Sequence, residues 1–209
     1  MRFLFYQLII RPIIAIILGL NVRHRERLPT KGPAIIVSNH NSHLDTLVIM
    51  TLFPWRLQKK TFPVAAADYF LKNKLLAWFS QKVVGIIPIE RKGSKFAKNP
   101  FANIQNKLDD DNLIIFFPEG SRGQPEKMSD IKKGITHLAK KNETIPIYPI
   151  FMYGLGKALP KDESLLVPFV IDVIVGEPLY WQNDASLLMS QLTDNFDEMK
   201  KELTIQEWE

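Results

Sequence analysis

Apolar and polar positions along the chain predict strands and helices in alternation. Short apolar runs rich in β-branched residues are typical of buried strands, and they occur at residues 34–38, 62–66, 84–89, 113–117, 145–152 and 170–175. Apolar residues at helical spacing predict helices at residues 46–53, 69–81, 99–108, 132–141 and 185–203. This order indicates an α/β fold in which helices flank a single sheet. Pro146 and Pro149 indicate that their strand is irregular or lies at an edge.

The N-terminal segment has a different pattern from the rest of the chain. Residues 3–20 are apolar except for Gln7 and Arg11, and a basic cluster follows at residues 23–27. A membrane-spanning helix needs about 20 apolar residues, whereas this run is slightly shorter and contains Pro12, which kinks or breaks a helix. We therefore expect a helix or helical pair that lies in one leaflet. The alternatives are a single span, with the remaining chain in the cytoplasm, and an amphipathic helix buried against the domain.

Length and composition fit one domain with a short appendage. The chain has 209 residues, of which 46% are hydrophobic, so a full core can be buried. We place the membrane-associated helical segment at residues 1–28 and the main domain at residues 29–209. The chain contains no cysteine, which excludes disulfides, thiolate nucleophiles and cysteine-based zinc sites.

The net charge limits the kinds of partner. It is +5 at neutral pH, which favours an anionic partner such as nucleic acid, anionic lipid or a phosphorylated substrate. The sequence has neither the interleaved aromatic and basic residues of a single-strand groove nor a helix-turn-helix or RRM signature. We therefore expect lipid or a phosphorylated substrate, and no nucleic acid.

A histidine and an aspartate follow the first predicted strand closely. His40 and Asp45 lie just after residues 34–38, and strands of open α/β sheets bind ligands at their carboxyl ends. A neutral imidazole can take a proton from an alcohol near neutral pH, and it does so best when a carboxylate holds its other N–H. Taken alone the spacing is common, and a surface histidine beside a helix-capping aspartate would also produce it.

Two further groups follow later predicted strands. Glu119, Gly120, Ser121 and Arg122 come after residues 113–117. Glycine lets the backbone approach a ligand closely, and arginine can bind a phosphate through two hydrogen bonds. Glu119 could orient an arginine or accept a hydrogen bond from a substrate hydroxyl. Arg91 ends the strand predicted at residues 84–89, where it could reach the same edge of the sheet.

Other chemistries fit these residues less well. His40, His43 and Asp45 are close enough to suggest a metal site, but no third and fourth ligands are evident. A serine hydrolase could use Ser42 or Ser121, but the sequence lacks the nucleophile elbow and a visible triad. Ser42 could instead cap the helix that follows it.

Together, the motifs resemble the PlsC-type glycerolipid acyltransferases, the lysophosphatidic acid acyltransferase family. The family's ordered motifs match Asn39-His40-x4-Asp45, residues 85–91, the uninterrupted run 117–122, and Ile145-Pro146-Ile147. The matches cover residues 30–150, and the first and third motifs together are highly specific.

This resemblance implies a fold, a reaction and a set of site residues. The fold would be a mostly parallel or mixed sheet flanked by helices, as in glycerol-3-phosphate acyltransferase, with an N-terminal membrane-associated segment. His40 would be the general base and Asp45 its partner. The pocket for the acceptor's phosphate and glycerol would be formed by Arg91, Glu119, Gly120, Ser121 and Arg122.

The resemblance also implies the substrates and the location. A fatty acyl group would pass from acyl-CoA or acyl-carrier-protein to a lysophospholipid, with 1-acyl-sn-glycerol-3-phosphate as the default acceptor and no cofactor or metal. Membrane lipids would be partners, at the cytoplasmic face of the inner membrane, with the chain monotopic or single-span. Residues 151–160 match no family motif, and Ile131 stands where an aromatic residue is common. Another lysophospholipid, glycerol-3-phosphate, or a non-catalytic lipid-binding module therefore remain alternatives.

Overall fold

A seven-stranded mixed sheet forms the centre of the part of the chain that the structure describes. The structure is a computed structural model that describes residues 1–70, 73–90, 100–159 and 165–203, with only the backbone of residues 69 and 70. The strands are β1 (Leu18–Arg23), β2 (Ala34–Ser38), β3 (Thr61–Ala66), β4 (Ile87–Ile89), β5 (Leu113–Phe116), β6 (Ile147–Tyr153) and β7 (Phe169–Val175). Their order is β1-β7-β6-β2-β5-β3-β4, and β1 and β7 run opposite to the other strands.

Helices cover both faces of this sheet. They are α1 (Arg2–Leu4), α2 (Arg11–Ile17), α3 (Leu44–Leu52), α4 (Trp55–Gln58), α5 (Ala67–Phe70), α6 (Lys74–Phe79), α7 (Ala102–Asp109), α8 (Gly134–Lys141), α9 (Leu155–Ala158) and α10 (Ala185–Lys201). A π-helical segment, Phe5–Ile10, joins α1 to α2, and another, Ser80–Val84, follows α6. A single 3-10 turn, Arg25–Arg27, is found in the described part of the chain.

Two apolar layers hold the sheet between the helices. Side chains alternate across a strand, so Ile35 packs in the layer with α7, α8 and α10, and Ile36 packs in the layer with α2 and α3. Both residues are fully buried. The continuous apolar runs in the sequence therefore reflect a mostly parallel sheet buried on both faces.

The N-terminal helix lies against the domain along one side. Tyr6, Ile10 and Ile14 are buried in the α2–α3 layer, whereas Leu8 and Ile16 are exposed. No helix in the described ranges is long and apolar enough to cross a bilayer. The structure therefore shows an amphipathic helix, and the membrane association of its outer face stays a prediction.

The end of the N-terminal apolar run forms a strand that the sequence pattern did not indicate. Residues 18–23 leave the helix at Leu18 and pair in parallel with β7, from Leu18 opposite Phe169 to Arg23 opposite Ile174. This strand lies inside the segment predicted as residues 1–28, so part of that segment belongs to the central sheet. A short apolar run can have the same composition in an edge strand and in a helix, so composition alone did not separate β1 from the helix before it.

Of the two features expected of the β6 strand, an irregular course or an edge position, the edge position was wrong. β6 lies inside the sheet, between β7 and β2. Pro149 pairs with Val37 of β2, but the antiparallel ladder with β7 begins only at Ile150. Pro149 has no N–H, so only its carbonyl can bond to the segment that follows β7. The carbonyl of Pro149 still accepts a hydrogen bond from the N–H of Gly176.

The other predicted strands agree with the structure to within a few residues, with one clear exception. The strand predicted at residues 84–89 is confined to β4, because the preceding π-helical segment continues to Val84. Gly85 then ends this segment with a φ of 88°, a conformation that glycine adopts readily.

Candidate active site

His40 and Asp45 are hydrogen-bonded at the carboxyl end of β2. The distance from His40 Nδ1 to Asp45 Oδ2 is 2.8 Å. His40 is in the loop after β2, and Asp45 is in the first turn of α3. The predicted pair is therefore a structural fact, although its role in a reaction is still a prediction.

The Asp45 carboxylate organises the loop as well as the imidazole. Its Oδ2 also accepts hydrogen bonds from the backbone N–H groups of Asn41, at 2.7 Å, and Ser42, at 2.9 Å. The residue is 1% exposed. Because Oδ2 already accepts two N–H groups, it also suits an Nδ1–H donated by the ring, and a neutral ring of that form has its lone pair on Nε2. The arrangement thus favours the tautomer that a general base requires.

Asn39 fastens the loop to the sheet. Its Nδ2 donates to the carbonyl of Met152 at 2.8 Å, and its Oδ1 accepts from the N–H of Met152 at the same distance. The amide side chain thus extends the β2–β6 pairing by one position. The sequence motif contains this asparagine but gave no indication of its role.

Glu119 joins the histidine loop to the loop that carries Arg122. Its Oε1 accepts from the N–H of His40 at 2.6 Å, and its Oε2 accepts from the N–H of Ser129 at 2.7 Å. Burial raises the pKa of the Glu119 carboxyl, and these backbone N–H groups counteract part of the shift. The N–H of Gly123 also donates to the carbonyl of His40 at 3.1 Å. Because both oxygens of Glu119 bind backbone, its predicted contact with an acceptor stays a prediction.

Phe117 packs against the catalytic candidate. Its ring stacks on the His40 imidazole with a centroid distance of 4.2 Å and an interplanar angle of 22°. Phe117 is buried, and the His40 side chain is 20% exposed. The imidazole is thus fixed by Asp45 at its edge and by Phe117 at its face, and it still reaches the cleft.

A cleft of about 570 Å³ opens beside His40. Gly120, Ser121 and Arg122 line it together with His40, so the structure brings these predicted residues together. Most of the remaining lining is apolar and is formed by Phe5, Leu47, Pro63, Val64, Ala65, Ala66, Phe79, Val84, Ile86, Ile89, Phe101, Phe116 and Phe117. Arg91 lies outside the described residues. The cleft therefore has a polar end at the histidine and a long apolar wall, which suits an amphipathic ligand.

The structure also shows the surroundings of the residues that a serine hydrolase or a metal site would use. The Ser42 hydroxyl is buried and donates to the carbonyl of Leu159 at 2.9 Å, and it accepts from the N–H of Leu44 at 3.3 Å. The Ser42 hydroxyl therefore holds the start of α3 in place. Ser121, the other candidate serine, lines the cleft. No group of three or more histidine, aspartate or glutamate side chains that could hold a metal ion occurs in the described ranges.

A comparison of the sequence with known protein families also points to the residues of this site. The sequence model of the acyltransferase family matches residues 19–153, from β1 to the end of β6. This chain belongs to the acyltransferase family. The match contains the His40–Asp45 pair and the whole loop at residues 119–122.

Curated relatives of this chain are described as 1-acyl-sn-glycerol-3-phosphate acyltransferases. The chain is 26% identical over 163 residues to a chloroplast 1-acyl-sn-glycerol-3-phosphate acyltransferase of Arabidopsis thaliana, which covers 77% of this chain and 44% of the relative. It is 33% identical over 145 residues to 1-acyl-sn-glycerol-3-phosphate acyltransferase alpha of Mus musculus, which covers 68% of this chain and 48% of the relative. The chain thus spans a little under half the length of these relatives.

A solved structure has the same fold. The crystal structure of the 1-acyl-sn-glycerophosphate acyltransferase PlsC from Thermotoga maritima superimposes with a TM-score of 0.76, over 96% of this chain and 79% of the other. The sequence identity is 18%, so the likeness supports the fold. It agrees with the predicted single sheet flanked by helices.

Proposed function

We propose that this chain transfers a fatty acyl group to the free hydroxyl of a lysophospholipid. The acceptor that we favour is 1-acyl-sn-glycerol-3-phosphate, which would give phosphatidic acid. One observation carries the proposal: the His40–Asp45 pair stands at the polar end of an apolar cleft, beside Arg122. The curated relatives named above act on the same acceptor according to their names.

The proposed reaction is a direct transfer from a thioester to an alcohol. His40 Nε2 takes the proton of the acceptor hydroxyl while Asp45 stabilises the imidazolium that forms. The alcohol oxygen bonds to the thioester carbonyl carbon, the carbon–sulfur bond breaks, and His40 returns the proton to the departing thiolate. Because the acceptor supplies the nucleophile, neither Ser42 nor Ser121 needs to react.

The two ends of the cleft suit different parts of the proposed substrates. The apolar wall would hold a fatty acyl chain, and Arg122 would bind the acceptor phosphate through its paired N–H groups. The donor in this proposal is acyl-CoA or acyl-carrier-protein, both of which carry the acyl group as a thioester. The chemistry uses no cofactor or metal. Arg91 is a further candidate for phosphate binding.

A membrane surface would deliver both lipids to the cleft. Phe5 and Phe79 line the cleft and contact each other edge to face at 5.2 Å, which links the N-terminal helix to α6. Next to them, Leu8, Leu75 and Trp78 are between 47% and 77% exposed. We propose that this apolar face lies in one leaflet on the cytoplasmic side of the inner membrane, with the chain monotopic. Lipids then enter the cleft without crossing water.

The alternatives differ in the acceptor or in the absence of a reaction. Glycerol-3-phosphate or another lysophospholipid could also bind beside Arg122. A lipid-binding module without activity would need the cleft but would have no use for a carboxylate that fixes the imidazole tautomer, so the His40–Asp45 bond favours an enzyme.

The test offers purified protein a panel of acceptors with an acyl thioester and identifies the products by mass spectrometry. We expect phosphatidic acid from 1-acyl-sn-glycerol-3-phosphate. We also expect the His40→Ala variant to lose transfer while it still binds lipid vesicles. Product formation at a near-normal rate by this variant would overturn the mechanism, and vesicle binding without any product from the unmodified chain would favour the lipid-binding module.

A further inference from the structure

Lys132 lies across the loop that borders the cleft next to His40. Its backbone N–H donates to the carbonyl of Pro118 at 3.0 Å, which holds the residue against the turn that contains Gly120. The Lys132 side chain then extends over Gly120. Its Nζ is 3.1 Å, and its Cδ 3.4 Å, from the position that a Cβ on Gly120 would take. Gly120 has a φ of 71° and leaves room for this side chain.

The ammonium group of Lys132 is available for a ligand. No carboxylate of the described residues lies within salt-bridge distance of it. Glu119, which precedes Gly120 in that loop, directs both of its oxygens to the backbone N–H groups of His40 and Ser129. Lys132 therefore adds positive charge to the side of the cleft where Gly120 and Arg122 are found.

We propose that Lys132 selects acceptors that carry a phosphate monoester. This inference rests on the proposed acyl transfer. A phosphate monoester carries about −1.5 to −2 charges at neutral pH, whereas a phosphodiester carries one and a glyceride none. Arg122 matches a single negative charge, so a further cation on the same side of the cleft favours the dianion.

The test compares Lys132→Ala with Lys133→Ala, which removes the same charge from the next residue. Lys133 is exposed, and the three atoms nearest the Cβ position on Gly120 all belong to Lys132. The acceptors are a lysophosphatidic acid, a lysophosphatidylglycerol and a monoacylglycerol with the same acyl chain. We expect Lys132→Ala to raise KM for the monoester about tenfold with little change in kcat, and to leave the other two acceptors unchanged.

Two additional measurements make the result specific to charge. Lys132→Arg should keep most of the preference for the monoester, and added salt should raise KM for the monoester more in the unmodified chain than in Lys132→Ala. The inference is overturned if Lys132→Ala behaves like Lys133→Ala, or if it weakens all three acceptors equally.

A binding assay separates this inference from the proposed function. Calorimetry with a short-chain lysophosphatidic acid, compared with the matching phosphodiester, measures the preference without turnover. If the chain prefers the monoester through Lys132 yet transfers no acyl group, the selectivity stands and the proposed reaction fails. If transfer occurs with no contribution from Lys132 to either assay, the reaction stands and the selectivity fails.

Discussion

The Glu119 carboxylate accepts a hydrogen bond from the backbone N–H of His40 at 2.6 Å, across 79 residues of sequence. Its other oxygen holds Ser129 in the loop after Arg122. This buried carboxylate, together with the bond from the Gly123 N–H to the His40 carbonyl, therefore sets the distance between the imidazole and the loop expected to bind the acceptor. In the proposed reaction that distance decides whether a bound hydroxyl reaches Nε2, since a shift of 1 Å can cost about 100-fold in rate.

Glu119→Gln should therefore impair transfer while the chain still folds. The amide keeps one acceptor oxygen but turns an NH₂ group towards a backbone N–H, so one of the two bonds is lost. We expect kcat/KM to fall by about 10- to 100-fold, with an unchanged far-UV circular dichroism spectrum. Glu143→Gln is the control, because Glu143 is exposed and distant in sequence from the site. Equal activity of the two variants would show that Glu119 does not position His40.

Asp45→Asn tests the tautomer of His40. The amide can donate as well as accept, so it can hold the ring with Nε2 protonated, the form that cannot act as a base. We expect kcat to fall by roughly 10³-fold or more, and the free energy of unfolding to fall by about 1–3 kcal/mol because the N–H groups of Asn41 and Ser42 lose a charged acceptor. Steady-state kinetics and urea denaturation measure the two effects. A variant that keeps more than a tenth of the normal kcat would contradict the proposed role of Asp45.

The sequence predicted the elements that depend on local pattern. The apolar runs of β2 and β5 are buried on both faces, so their composition identified them as strands. The His40–Asp45 bond was also predictable, because a loop followed by the first turn of a helix brings residues at this spacing together. Each of these features depends on residues that are close in sequence.

Features that depend on distant partners were not predictable. β1 was expected to be part of a membrane-associated helix. Its pairing with β7 joins residues about 150 positions apart, so no local pattern in the sequence indicates this strand. The roles of Asn39 and Glu119 depend on the backbone of Met152 and Ser129, which no local pattern indicates. The interior position of β6 likewise depends on its antiparallel pairing with β7, which no local pattern indicates.

The stability of the chain should depend on pH through Glu126. Burial raises the pKa of this carboxyl above its ordinary value of 4.5, and the hydrogen bonds from Gly154 and Gly156 counteract part of the shift. A group whose pKa is raised by folding stabilises the folded state fully below its unfolded pKa, and this contribution is lost as pH rises through the folded pKa. Glutamine cannot ionise. The free energy of unfolding of Glu126→Gln, relative to the unmodified chain, should therefore increase between pH 4.5 and neutral pH.

Urea denaturation at several pH values measures this difference. The sign is the diagnostic feature, because a glutamate held mainly by an ion pair would change stability in the opposite direction. A difference that stays constant over the range would show that Glu126 ionises in the folded chain as it does in the unfolded one.

The membrane face should be separable from the reaction. Leu75 is 77% exposed on α6, close to Phe79 at the cleft, and an aspartate there would carry charge into the headgroup and acyl boundary. We expect Leu75→Asp to reduce sedimentation with anionic vesicles by about tenfold, and to slow transfer to long-chain acceptors in those vesicles to the same extent. Transfer to a short-chain acceptor in solution should be unaffected, because Leu75 does not line the cleft. Leu187→Asp is the matched control, since Leu187 is exposed on α10, in the layer on the other side of the sheet. If both variants bind vesicles like the unmodified chain, the α6 face does not bind the membrane, and lipids must reach His40 by another route.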